Sequence, residues 1–157
     1  MKEYLKKISQ SSSMTLYLRL LETVTRGKRY LSPEMTAQQM TQELECTSRQ
    51  LSAAVQVGGE ENFSSFINGL RVKEACRRLS LPRYYEQKME QIAEGCGFKS
   101  RQAFYISFEK VMGETPAHWR AQHCEKPAPK PKRKKKTRAK TRTKKAKVLK
   151  SKVKTDR

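Results

Sequence analysis

The segment FSSFINGLRVKEACRRLS, from Phe63 to Ser80, constrains the fold more than any other. A helix turns about 100° per residue. On that wheel Phe63, Phe66, Ile67 and Leu70 gather on one side. Val72, Ala75, Cys76 and Leu79 gather as well, but about half a turn away. A helix packed on a single core keeps its apolar stripe in one direction. A helix over about 63–80 that reverses its stripe belongs to one core with its first half and to another with its second. The pattern predicts two small helical units joined by a shared helix.

The rest of the chain fits that plan. Residues 1–13 end in SQSSS and read as a polar leader of uncertain order. Met14, Tyr17, Leu18, Leu21 and Val24 then recur at helical spacing and predict a first helix over about 14–27. Gly27 and LSPEM interrupt it. Thr36 with Gln39 three residues on is a capping-box pattern, and Ala37, Met40 and Leu44 behind it share a face. Thr47 is placed to cap a third helix that turns Leu51, Ala54 and Val55 inward. VGGEEN breaks the chain, and Asn62 is placed to cap the linking helix. Pro82 ends that helix. Met89, Ile92, Ala93 and Cys96 then fall at i, i+3, i+4 and i+7. Gly97 and Phe98 form a turn, Ser100 caps, and Phe104, Phe108 and Val111 face inward. Thr115 as cap, Pro116 at the first helical position and Trp119 close the domain. No segment alternates like a strand, so the expected fold is all-α.

Charge narrows the partner. The chain has 35 Lys and Arg against 15 Asp and Glu, a net charge of +20. From Glu125 to Arg157 there are 17 basic and 2 acidic residues, so this tail alone carries +15. The tail 125–157 has almost no apolar residues and is expected to be disordered when free. A polyanion, nucleic acid first, is the natural partner. No apolar run reaches the ~20 residues of a membrane span, and the N-terminus lacks the apolar core of a signal peptide. Cys46, Cys76, Cys96 and Cys124 form no close ligand pair, so they read as reduced thiols filling apolar space rather than as a zinc site. No phosphate loop, activated nucleophile or supported carboxylate pair is present, so neither an enzyme nor a cofactor is expected.

Two segments, about 36–57 and 88–111, share one order: short helix, tight turn, helix. In a helix-turn-helix the second helix enters the major groove and the first braces it. FINGLRVKEACRRLS together with KMEQIAEGCGFKSRQAFYISFEKVMGETPAHWR closely resembles the DNA-binding domain of AraC/XylS-type transcriptional regulators. The matching positions run from Ile67, Arg71, Glu74, Ala75 and Leu79 through Ile92, Ala93, Gly97, Phe98 and Ser100. They continue with Phe104, Phe108, Gly113, Thr115, Pro116, Trp119 and Arg120. Upstream, YLSPEMTAQQMTQELECTSRQLSAAV resembles the family's less regular first helix-turn-helix. The resemblance implies a DNA-binding domain over about 14–124, two helix-turn-helix units bridged by one helix, and recognition helices in adjacent major-groove segments.

The resemblance and the wheel together name candidate readers of DNA. In the first unit these are Thr47, Arg49, Gln50, Ser52, Ala53 and Gln56. In the second they are Ser100, Arg101, Gln102, Tyr105 and Ile106. Arg pairs with guanine and Gln with adenine in the major groove, while Thr47 and Ser100 at helix starts suit phosphates. Many family members carry Arg where this chain has Ala53 and Ile106. Lys132, Arg133, Lys134, Lys135, Lys136, Arg138, Lys140, Arg142, Lys144 and Lys145 in the tail are expected to restore the lost affinity without sequence preference.

The expected function is a sequence-specific transcription regulator, a monomer on double-stranded DNA in the bacterial cytoplasm. RNA polymerase is a further candidate partner; no membrane and no small-molecule effector are expected. Only about 13 residues precede the first helix, too few for the effector domain that most relatives carry. The alternative is a nucleoid-associated protein that coats DNA with little sequence preference.

Overall fold

The computed structural model describes residues 2–125. The tail's candidate residues, Lys132 to Lys145, lie outside them. Among the described residues there are seven α-helices and no strand, so the chain is all-α. Helix α1 spans Lys2–Thr25, and a 3₁₀ turn covers Arg26–Leu31. Helices α2 (Ala37–Glu43) and α3 (Ser48–Val57) form the first helix-turn-helix. The linking helix α4 is Phe63–Leu79. Helices α5 (Met89–Gly95) and α6 (Arg101–Met112) form the second, and α7 (Pro116–His123) closes it.

The reversal of the stripe on α4 divides the interior in two. Phe66 and Ile67 are buried in a first core with Leu20, Val24, Tyr30, Met40, Leu44, Leu51 and Val55. Val72, Ala75 and Leu79 are buried in a second with Ile92, Ala93, Cys96, Phe98, Phe104 and Phe108. Side chains at the helix starts satisfy amides that have no partner within the helix. Thr36 Oγ1 accepts from Gln39 N, Asn62 Oδ1 from Ser65 N, and Thr115 Oγ1 from His118 N.

Some expectations shift. Helix α1 starts well before residue 14, and its inward line is Leu20 and Val24, flanked by Leu16, Tyr17 and Leu21. Met14 and Leu18 are exposed. The cause is the helix that α1 docks on: α3 covers one side of α1 and fixes which residues point inward. Ala37 stands in the open first turn of α2 and is exposed. Val111 is exposed because the last turn of α6 runs past the aromatic cluster, and Met112 packs on the second core instead. The cysteines pack as small apolar groups. Cys96 lies inside the second core with Cys76 beside it, and burial pushes both thiols up to about 11.

Candidate nucleic-acid interface

Helix α3 has a reciprocal cap. Thr47 Oγ1 accepts from Gln50 N at 3.2 Å, and Gln50 Oε1 accepts from Thr47 N at 2.8 Å. Both residues are exposed at the helix start, but these atoms are spent on the cap. Leu51, Ala54 and Val55 face the first core. The opposite side carries Arg49, Ser52 and Gln56, all exposed, with Ala53 half-buried at its edge. Arg49 makes no side-chain hydrogen bond or ion pair among the described residues.

Helix α6 begins at Ser100, whose Oγ accepts from Ala103 N at 3.1 Å. Phe104 is edge-on to Phe98 at 5.2 Å and to Phe108 at 5.6 Å between ring centroids, and Phe108 meets Trp119 at 6.3 Å. Edge-to-face rings like these add stabilisation beyond the area they bury. Ile106 lies two residues from both Phe104 and Phe108, about 200° around the helix from each. It is accordingly turned outward and 60% exposed. Gln102 shares that outward side and is exposed; Tyr105 is half-buried. Arg101 pairs with Glu90 at 2.9 Å and lies over the Tyr105 ring at 5.2 Å.

The two helices border one open cleft of about 600 Å³. Ser52 of α3, Asn68 of α4 and Ala103 of α6 are among the residues that line it. Lys99 lines it too, ion-paired to Glu34 at 3.4 Å. The candidates of both units thus point outward on helices that share a cleft. Sequence reasoning missed Lys99, Ala103 and Glu90. Lys99 was open to detection, since a basic residue just before a capping serine stands where a phosphate docks. Glu90 was not, because its ion pair spans the turn between two helices.

No helix among the described residues is long and apolar enough to cross a membrane. Residues 40–122, more than half of the chain, match the family described as helix-turn-helix domain. The chain is 26% identical over 103 residues to the HTH-type transcriptional regulator CdhR of Pseudomonas aeruginosa. That match covers 66% of this chain and 30% of the relative, so the chain spans less than a third of the relative's length. A protein of unknown function from Listeria innocua shares the fold at a TM-score of 0.57 and 24% identity, over 68% of this chain and 95% of that one. The C-terminal domain of AraT, a response regulator from Geobacillus stearothermophilus, does so at 0.54 and 18% identity, over 78% and 91%. With the two cores, the bridging helix and the matched segment in agreement, the chain belongs to the AraC/XylS-type helix-turn-helix family.

Proposed function

We propose that the protein is a sequence-specific DNA-binding transcription regulator that lays α3 and α6 in adjacent major-groove segments. One observation carries this reading: two capped helices, each anchored by its own core, present outward faces beside a common cleft. Adjacent major-groove segments recur every ~34 Å on one face of a duplex. One protomer supplies both helices, so it binds as a monomer to an asymmetric site. Such a protein works where the chromosome is, in the bacterial cytoplasm. RNA polymerase is the natural further partner of a regulator of this kind.

Arg49, Ser52 and Gln56 read one half-site; Arg101, Gln102 and Tyr105 read the other. Thr47, Gln50 and Ser100 mark the helix starts, where the first-turn N–H groups that the caps leave free meet phosphates. Ala53 and Ile106 offer only shape or contact with a thymine methyl. The tail, +15 over residues 125–157, adds affinity by counterion release and carries no sequence information.

Selection from random duplexes tests the reading. A recurrent asymmetric motif of about two helical turns supports it. Featureless enrichment would replace it with the second reading, a protein that coats DNA, which the charge of the tail favours. Removal of residues 125–157 should weaken binding to all duplexes and flatten its salt dependence. An unchanged salt slope would remove the tail from the account.

A further inference from the structure

Arg71 leaves α4 where the apolar stripe reverses, between Leu70 of the first core and Val72 of the second. It is a buried cation, 9% exposed, and its hydrogen bonds go to oxygens that carry no full charge. Nε donates to the Tyr30 carbonyl at 2.7 Å and Nη2 to the Ser32 carbonyl at 2.8 Å. Nη1 reaches Asn68 Oδ1 at 3.4 Å. The guanidinium also lies over the Phe98 ring, 5.8 Å from its centroid. Tyr30 belongs to the first core and Phe98 to the second. One side chain therefore grips both units. Burying a guanidinium is costly unless its donors are satisfied, and here the fork fits two backbone carbonyls that lie two residues apart.

The segment it grips is a strap across the seam. Leu31 packs against both cores. Its carbonyl sits on the turn between α5 and α6: a Cβ added to Gly97 would stand 2.3 Å from the Leu31 oxygen. Gly97 also has φ +84°, which a side chain would strain. The strap's other end is held as well. Lys28, in a left-handed conformation at φ 58°, reaches Glu74 of α4 at 3.2 Å. The units cannot pivot about α4 without breaking these contacts.

We propose that Arg71 is a positioning residue for DNA recognition. Through the strap Lys28–Ser32 it fixes the offset between α3 and α6, and so sets the number of base pairs between the two halves of the site. The inference rests on the two-helix reading above. A duplex presents its grooves at fixed repeats, so a rigid pair of helices accepts one separation, whereas a hinged pair accepts several.

The test uses the full chain and the duplex that the wild type selects from a random library. Derivatives of that duplex carry one base pair inserted or removed between its halves. The wild type should lose roughly tenfold or more in affinity for them, the size of a single mismatch. Arg71→Ala and Leu31→Ala, checked for helical content and cooperative melting, should bind parent and derivatives within about threefold of each other, since less than one mismatch then separates them. If either folded variant keeps the wild-type penalty, the proposal is overturned. Should Arg71→Ala not fold, Leu31→Ala alone decides. If the wild type selects no two-part motif, the two-helix reading itself fails, which is a different result.

Discussion

The two helix-turn-helix units present different chemistry on the same geometry. The first offers exposed polar candidates on α3, with Arg49 unengaged among the described residues. The second offers an arginine already paired with Glu90 and stacked on Tyr105, followed by an isoleucine. Their anchors differ too. The core behind α6 is a chain of edge-to-face aromatic rings, whereas the core behind α3 is mostly aliphatic and leans on α1. The contrast is between a freer polar face on α3 and, on α6, a more apolar face held by a ring cluster; under the proposed reading the first leans more on hydrogen-bonded readout and the second more on shape.

The largest expected effect strikes the aromatic anchor. Phe104→Ala should cost about 3–5 kcal/mol in urea unfolding, because it empties the centre of the ring cluster. Met40→Ala in the aliphatic core should cost about 2–5 kcal/mol. A Phe104→Ala loss clearly below the Met40→Ala loss would break the contrast between the anchors.

Next comes the shared helix. Glu74 is a carboxylate whose side chain is only 4% exposed, and it receives Arg77, Arg78 and Lys28. The bond from Arg77, with those from Arg78 and Lys28 and against the cost of burial, holds its pKa at about 2 rather than 4.5. A lowered folded pKa gives stability that is present above the unfolded value. It is lost as pH falls from 4.5 toward about 2. Glu74→Gln should cost about 2–3 kcal/mol at neutral pH, since its cations can turn to water. The gap from wild type should already be narrower by about pH 3, because below 4.5 the unfolded chain takes up a proton that the folded carboxylate refuses until about 2. A gap that stays constant with pH would show that the hub is not ionic.

Binding separates the units more finely. Arg49→Ala should cost about 1–3 kcal/mol of discrimination at one base pair. Arg101→Ala should cost less, because binding already surrenders its exposed pair with Glu90, worth about 0.2–1 kcal/mol. Equal losses would erase the difference in readout. Ile106→Arg should have the smallest effect on affinity at high salt. It should steepen the salt slope by about 1 or change the preferred base beneath α6. If neither moves, α6 does not face the groove at that turn.

Much of this was legible in the sequence. The reversal on α4 needs only the wheel, and the caps Thr36, Thr47, Asn62, Ser100 and Thr115 declare themselves by residue type and spacing. Ile106 was legible as outward because its neighbours Phe104 and Phe108 claim the inner face. Contacts between distant segments were not. The strap's carbonyls lie about 40 residues before Arg71 and have no side-chain signature. The Glu90–Arg101 pair depends on the angle between α5 and α6. The inward line of α1 depends on where α3 docks, which local periodicity cannot specify.

The central claim is that α3 and α6 read separate halves of one site. The most direct measurement compares the motifs that wild type, Arg49→Ala and Gln102→Ala select from one random duplex library. The account predicts a two-part wild-type motif with its halves about one helical turn apart. Arg49→Ala should relax the preference in one half only, and Gln102→Ala in the other half only. If both variants relax the same positions, or the wild-type motif has a single half, the two helices do not read adjacent grooves and the account is wrong.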